Sequence, residues 1–430
     1  MYLTRRSVWA VLAGTVAVIV LPRPATALVW VAAWAVLAVV DVVAAPSPRS
    51  LRVERRVPRS VRLGETTSAT LTVSNLGRRV AHLEVRDAWQ PSAGASAERS
   101  SVDLGPGERR RLRVRLSPTR RGDRQADLVT IRSAGPLGLA GRQASLRSPA
   151  QVRVLPEFVS RKYLPSRLAR LRELDGRSAV MVRGAGTEFD SLREYVVGDD
   201  VRSIDWRSTA RRGEVVVRTW RPERDRRVLV LVDTARLAAA RLGDAPRLDA
   251  QIEATLLLAA LASRAGDRVD VVALDDAVRA QVRGQSGPAL MNALADRLAP
   301  VEARLVEPSW TLMAKVVGET LSQRALVVVL TALDPASVDT EMLRTMGALA
   351  HEHTVVMASA TDPELEVVRS TRLTADDVYL AAAAERAVVE ADAVQARLRR
   401  RGVEVVEATP AALAPALADT YLALKAAGRL

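Results

Sequence analysis

The sequence predicts a multidomain protein of mixed class: an N-terminal transmembrane helical hairpin, a small β-sandwich-like domain, and an α/β domain on a doubly wound parallel sheet. Three observations predict it. Two apolar runs open the chain, residues 50–155 alternate apolar and polar with a period of two, and beyond Arg227 continuous apolar strands are separated by helical stretches. The expected divisions are 1–48 for the hairpin and 49–155 for the β domain. A linker with a charged motif follows over 156–226, and the α/β domain fills 227–430 of the 430 residues.

The hairpin comes first. Val8–Leu21 holds no charge, and Ala25–Ala45 is interrupted only by Asp41, with Pro22-Arg23-Pro24 between the two. A bilayer needs about 20 apolar residues, which the second run supplies. The first run alone has the length of a signal-peptide core, but a longer apolar run follows at once, so two membrane helices are the expected reading. Arg5 and Arg6 precede the pair; Arg49, Arg52, Arg55, Arg56, Arg59 and Arg62 follow it; only Arg23 lies between. The positive-inside rule then places the chain in the cell membrane with its bulk in the cytoplasm. The rival is a cleaved signal followed by one anchor, which would put the remainder outside.

Period-two alternation in Ala69–Ser74, Ala81–Arg86, Arg111–Leu116 and Ala126–Arg132 predicts strands, punctuated by Asn75-Leu-Gly77, Gly105-Pro-Gly107 and Arg121-Gly-Asp123. Alternation means one face buried and one wet. Arg109, Arg110, Arg111, Arg113 and Arg115 crowd one such strand, read as a solvated outer face that a membrane contact would use. Gly135-Pro-Leu-Gly138 closes the region. Leu164, Leu168, Leu171 and Leu174 then mark a short amphipathic helix.

The last part reads differently. Val228–Val232 is an unbroken apolar strand ending in Asp233, followed by a helix over Leu248–Arg264. Further strands are Asp267–Ala273, Ala325–Leu330, Thr354–Ala358 and Val403–Val406, and Ala411–Ala427 is a final helix. Apolar strands alternating with helices imply a parallel sheet covered on both faces.

Charge separates the two halves. Residues 1–227 carry 42 Lys+Arg against 22 Asp+Glu, a net of +20, whereas 228–430 carry 21 against 27, a net of −6. The basic excess sits beside the predicted anchor, where anionic inner-leaflet lipids are the simplest partner, at about 1 kcal/mol for each basic residue near the surface. Nucleic acid is not an expected partner, because no helix-turn-helix, zinc-finger or RNA-recognition signature accompanies the charge. The chain has no cysteine, which excludes disulfides, thiolate chemistry and cysteine zinc sites.

Residues 183–221 are the centre of the functional reading. Eight Arg and seven Asp or Glu nearly cancel there, interleaved with Phe189, Tyr195, Trp206 and Trp220. Gly184 and Gly186 give a flexible lead-in; Phe189, Leu192 and Tyr195 recur near helical spacing and predict about two helical turns. Gly198-Asp199-Asp200 and Arg211-Arg212-Gly213-Glu214 are turn signals, and Val215–Val217 reads as a strand. Arginine forks on carboxylates can hold such loops in one arrangement; a solvated surface of weak ion pairs is the plainer alternative.

The run Glu188-Phe189-Asp190-Ser191-Leu192-Arg193-Glu194-Tyr195, then Gly198-Asp199-Asp200-Val201-Arg202-Ser203-Ile204-Asp205-Trp206 and Thr209-Ala210-Arg211, resembles the signature of the domain-of-unknown-function 58 family. The resemblance implies a membrane-anchored bacterial protein, a von Willebrand factor A-like domain after the motif, and association with a MoxR-type AAA+ ATPase. Pro-Leu-Gly turns like that at 136–138 also occur in the family. The motif residues Glu188, Phe189, Arg193, Tyr195, Gly198, Asp199, Asp200, Arg202, Asp205, Trp206 and Arg211 are the candidate interaction residues.

Domains of the von Willebrand factor A type hold Mg²⁺ with an Asp-x-Ser-x-Ser turn and a distant Thr and Asp, and a hard cation needs such converging oxygens. Here Asp233 stands, but Ala235 and Leu237 occupy the two hydroxyl positions and Arg236 adds a positive charge. After the strand ending at Leu330 come Thr331-Ala332-Leu333-Asp334, with Ala332 where an Asp is expected. A degenerate site at Asp233 and Thr331, with no metal and no cofactor, is the expectation. His351 and His353 lack a third ligand nearby, and no nucleophile elbow, zinc-protease motif or phosphate-binding loop is present. The expected function is a non-enzymatic, membrane-anchored scaffold that docks partner proteins. The alternatives are a hydrolase using Glu188, Asp199 and Asp205, and a basic-surface nucleic-acid binder.

Overall fold

A computed structural model describes residues 1–96, 99–181, 188–221, 226–333 and 340–430. Two compact units divide at Glu157 and Phe158.

The first unit opens with β1 (Tyr2–Leu3), α1 (Arg5–Val20) and α2 (Pro24–Ala44). The stretch Pro24–Ser50 is long and apolar enough to cross a membrane. The two helices pack closely where Gly14 leaves room for the Trp30 indole, whose Nε1 donates to the Ala10 carbonyl at 3.1 Å. The strands that follow are β2 (Leu51–Arg56), β3 (Ser60–Arg62), β4 (Thr67–Asn75), β5 (Ala81–Trp89), β6 (Arg99–Leu104), β7 (Arg109–Leu116), β8 (Gly122–Ala134) and β9 (Ala140–Leu155). They form one sheet ordered β1-β9-β8-β5-β6, with β3 on β9, and a second ordered β2-β4-β7. The alternation seen in the sequence is the reason they stack. Leu71 and Val73 of β4 face Leu83 and Val85 of β5 and Val129 and Ile131 of β8 in one dry cluster, a β-sandwich-like core.

Asp41, the one charge in the apolar run of α2, is fully buried and reaches the turn between β8 and β9. Its carboxylate accepts from the backbone N–H groups of Leu137, Leu139 and Ala140 at 2.8, 2.7 and 2.8 Å. Thr4, which caps α1, donates to the Gly138 carbonyl of the same turn at 2.5 Å, and Ser7 donates to Leu139 at 2.5 Å. The open carbonyls at the end of α2 are taken by guanidinium groups, Arg142 on Val42 at 2.9 Å and Arg79 on Ala44 at 3.2 Å. A Cβ at Gly135 would lie 2.2 Å from Asp41 Oδ1, so the turn needs glycine there for close approach rather than for φ.

The second unit begins with α3 (Leu164–Met181), within the segment read from the sequence as a linker. Leu171 is buried in the core of this unit and Leu164, Leu168 and Leu174 pack against it. A small module follows: β10 (Glu188–Glu194), α4 (Trp206–Arg212) and β11 (Val216–Arg221). The expected helical turns at 189–195 are a strand instead, because β10 finds an antiparallel partner in β11 and that pairing outweighs the local three-residue spacing of apolar side chains.

The remainder comprises β12 (Arg227–Asp233), a short hairpin of β13 (Arg241–Leu242) and β14 (Ala245–Pro246), α5 (Arg247–Arg264), β15 (Arg268–Leu274) and β16 (Val278–Val282). Then come α6 (Gly287–Leu298), α7 (Trp310–Thr320), β17 (Leu326–Leu330), α8 (Thr340–Glu352), β18 (Thr354–Ala360), α9 (Pro363–Ser370), α10 (Ala375–Arg399), β19 (Glu404–Ala408) and α11 (Pro410–Ala426). The sheet order is β16-β15-β12-β17-β18-β19, parallel except for β16. Val228, Val230 and Val232 of β12 pack with α5, α6 and α11 on one face; Leu229 and Leu231 pack with α7, α8 and α10 on the other. That is why these strands read as unbroken apolar runs. Chain order runs outward in both directions from β12, so its carboxyl end lies at the point where the winding reverses.

Candidate functional site

Two places bear on function: the signature module, and the carboxyl end of β12.

In the module, β10 and β11 pair from Glu188↔Arg221 to Glu194↔Val216. Between them the chain is held by carboxylates. Arg193 donates to Asp199 through both terminal nitrogens, at 2.8 and 2.6 Å, and the Val196 N–H donates to Asp199 Oδ2 at 2.9 Å. The Arg193 bond first, and then the Val196 amide, hold the Asp199 carboxyl below its usual range. Gly198 turns the chain there at a φ of 110°, a value open to glycine and to few other residues. Asp200 accepts from Arg202 N at 2.9 Å and so caps the turn over Val201–Ser203.

Asp205 does three things at once. Its N–H donates to the Val216 carbonyl at 2.9 Å, its Oδ1 accepts from Ser208 N at 2.9 Å to cap α4, and its Oδ2 accepts from Arg218 Nε at 2.8 Å. The Ser208 amide first, then Arg218, lower its pKa. Thr209 Oγ1 takes the Val216 N–H at 3.1 Å, tying the far side of α4 to β11. Neither α4 nor the role of Arg218 was read from the sequence. The signal was there: Asp205 before a run of helix formers and Gly213 after it is a start and a stop.

The structure therefore holds two ion pairs, Arg193 with Asp199 and Arg218 with Asp205, in one frame joined by the backbone pairing of β10 and β11, in which Val216 and Val217 are buried. Tyr195 is half-buried, with its N–H on the Val215 carbonyl at 2.9 Å. Outside the frame stand Trp206, 69% exposed, Val197, 95% exposed, and Val201, with the side chains of Arg202 and Arg211. Glu188 and Phe189 lie in β10 by backbone; their side chains, the glycines at 184 and 186, and Asp334 fall outside the described residues.

At the carboxyl end of β12, Asp233 is buried. Its Oδ2 accepts from Thr331 Oγ1 at 2.6 Å and its Oδ1 from Ala235 N at 2.8 Å. Burial, only partly offset by those two bonds, raises its pKa and favours the neutral form. Next to it Thr234 Oγ1 donates to Asp275 at 2.9 Å, and Arg279 forks onto Asp275 at 2.8 and 2.5 Å. Burial pushes the Asp275 carboxyl up, but Arg279 and the hydrogen bonds around it outweigh that and hold it well below the usual range. These donors do not fit Mg²⁺. Both Asp233 oxygens accept hydrogen bonds from the protein, Ala235 and Leu237 offer no side-chain oxygen, and the nearby carboxylate already has a guanidinium. Among the described residues no group of three or more His, Asp or Glu is placed to hold a metal. His351 lies in the last turn of α8, and His353 is buried just after it, with burial lowering its pKa.

The profile of the family described as "Protein of unknown function DUF58" matches residues 191–406. The chain belongs to the DUF58 family. The match takes in the whole of the module's frame, though not the first residues of β10, and the sheet from β12 into β19, so the frame and the carboxyl end of β12 both lie in the family's own region. A second profile, described as "Abnormal spindle-like microcephaly-assoc'd, ASPM-SPD-2-Hydin", matches residues 59–137. No curated protein matches this DUF58 chain. Among solved structures it is similar to the CARDB domain of a Pyrococcus furiosus protein, at 21% identity over 24% of this chain and 94% of that one, with a TM-score of 0.20. It is also similar to native alpha-2-macroglobulin from Escherichia coli, at 24% identity over 26% of this chain and 17% of that one, with a TM-score of 0.21.

Proposed function

We propose that this DUF58 chain is a membrane-anchored, non-enzymatic scaffold that docks partner proteins, a MoxR-type AAA+ ATPase among them. The observation that carries the reading is the pairing of the motif carboxylates. Asp199 and Asp205 are each engaged by an arginine and by backbone N–H groups, which suits a latch and leaves them poorly placed as acid or base. The hydrolase alternative needs these groups converging on a pocket free of arginine. The frame instead presents Trp206, Val197 and Val201 to solvent beside arginines, and an exposed tryptophan with arginine is the composition that anchors protein interfaces.

In this reading the second unit is a von Willebrand factor A-like, doubly wound domain, supported by the reversal of strand order at β12 and the helices on both faces of the sheet. Its metal position is degenerate. The first unit spans the membrane twice, with the bulk of the chain cytoplasmic and anionic inner-leaflet lipids beside it. The bonding of Thr4 and Asp41 to one turn, which returns the hairpin's two outer ends to the same side, supports that arrangement.

The test is complex formation between the full chain in bilayer discs and a MoxR-type ATPase of the same organism, with and without nucleotide. A nucleotide-dependent complex weakened roughly tenfold by Trp206→Ala is expected. Absence of any complex with the unmodified chain, or a hydrolytic activity lost in Asp199→Asn with the fold retained, would overturn the proposal.

A further inference from the structure

The outer face of the β2-β4-β7 sheet is made of guanidinium and hydroxyl. Register places Arg52, Ser74 and Arg109 in one row, Glu54, Thr72 and Arg111 in the next, and Arg56, Thr70 and Arg113 in a third, with Arg115 opposite Ser68. Leu71, Val73, Val114 and Leu116, the intervening residues, are buried, so these rows point outward. Arg52 pairs with Glu54 at 3.1 Å. Among the described residues, Arg109, Arg111, Arg113 and Arg115 have no carboxylate partner. Alternate residues along β7 are about 6.8 Å apart, and β2 lies about 9.5 Å from β7, so the cations form a regular array.

Charges on an edge strand guard it against pairing with another chain. Both β2 and β7 are edges of this sheet, but guarding an edge does not account for four arginines along β7 alone that lack a carboxylate partner among the described residues. What the face lacks narrows its ligand to a surface of phosphates, and its tie to the end of the apolar helix favours a lipid surface over a nucleic-acid duplex. A folded acidic protein needs apolar anchors at the centre of its interface, and single-stranded nucleic acid needs aromatic platforms; the outward residues of these rows are only Arg, Glu, Ser and Thr. Phosphate headgroups need no more than guanidinium forks and hydroxyl donors. The sheet also starts close to the apolar helices: six residues separate Ala44 from Leu51, and Arg79, from the turn after β4, holds the Ala44 carbonyl.

We propose that this face binds the phosphate headgroups of an anionic phospholipid surface, through Arg109, Arg111, Arg113 and Arg115 with Arg52 and Arg56 across the sheet. It rests on the membrane-anchor reading above and adds to it which surface meets the lipid.

Because the chain has no cysteine, a fluorophore can be placed uniquely at Thr72→Cys, within the face, and in a second protein at Ser47→Cys, just past α2. Each full chain goes into bilayer discs of phosphatidylcholine alone or mixed with phosphatidylglycerol, with a quencher on the headgroups. Quenching at 47 is expected in both lipids, and at 72 only with phosphatidylglycerol and only at low salt. Arg111→Gln with Arg113→Gln should lower the equilibrium constant between the lipid-bound and free states of the face roughly 30-fold. Arg147→Gln, on the other sheet and paired with Asp127, should leave it unchanged; circular dichroism confirms that each variant is folded. Quenching at 47 without any lipid-dependent change at 72 overturns the proposal and leaves the anchor standing. No quenching at 47 overturns both. Equal loss in Arg147→Gln, or protection of position 72 by an oligonucleotide in place of lipid, also overturns it.

Discussion

Arg218 Nε lies 2.8 Å from the Asp205 carboxylate whose other oxygen caps α4, so one side chain joins a strand of the module to its helix. Asn can cap a helix but cannot pair with arginine. Asp205→Asn should therefore keep α4 while freeing Arg218, whereas Asp205→Ala should lose both. Limited trypsin digestion at Arg207, Arg211 and Arg212 reads the difference: cleavage fastest in the Ala variant, intermediate in Asn, slowest in the unmodified chain.

The same frame should resist mild acid. Asp199 and Asp205 have folded pKa values lowered by their partners. Stability from such groups is fully present above the unfolded carboxylate value of about 3.9 and is lost as pH falls through the lower folded value. Tryptic protection of the module should be flat from neutral pH to about 5 and decline only below about 4. A decline beginning near neutrality would show that these pairs do not set it.

Asp233 runs in the opposite sense. Its folded pKa is raised by burial, so its contribution is fully present below the unfolded value of about 3.9 and is lost as pH rises through the folded one. Asp233→Asn, whose amide can still accept from Ala235 N and donate to Thr331, should raise the thermal midpoint at neutral pH and leave it nearly unchanged near pH 4. Added Mg²⁺ should move neither protein. A midpoint raised by Mg²⁺ in the unmodified chain alone would restore a metal role to Asp233.

Within the β unit, Arg55 is buried between sheets. It bonds to Asp87 at 2.5 Å and Ala126 at 3.1 Å, donates to the Ser148 carbonyl, and lies 5.6 Å over the Trp89 ring, whose Nε1 donates to Asp87 at 3.0 Å. Removing one partner leaves a charge stranded in the core, so Asp87→Ala should cost about 3 kcal/mol or more, measured by chemical denaturation. The double replacement Arg55→Met with Asp87→Leu should recover much of that loss.

Asp41→Asn and Gly135→Ala should have similar effects by different routes. Asn leaves one of the three amides facing an N–H₂ group, at about 2 kcal/mol or more. Alanine at 135 drives a methyl into the Asp41 carboxylate, 2.2 Å away. Both should increase proteolysis of the β8–β9 turn in the full chain.

The large elements were legible where packing is local and uniform. Five consecutive apolar residues at Val228–Val232 can only be buried on both sides, and alternation in Ala69–Ser74 can only mean one wet face. The module was not, because β10 has no alternation: Phe189, Leu192 and Tyr195 are spaced as on a helix, and only the distant β11 decides otherwise. The candidate carboxylates were visible as residue types, but their arginine partners were not. Arg55 and Asp87 are 32 positions apart, and Asp41 entered the sequence reading only as an interruption in an apolar run, its partners lying nearly 100 residues on.

Asp41 also governs where this protein can be cut. A fragment begun after Ala45 to escape the apolar helices would contain every strand from β2 to β9 yet leave the amides of Leu137, Leu139 and Ala140 pointing at nothing. The part of α2 that carries Asp41 belongs to the β unit as surely as its strands do, and a soluble version has to start upstream of it, with the greasy surface between redesigned rather than removed.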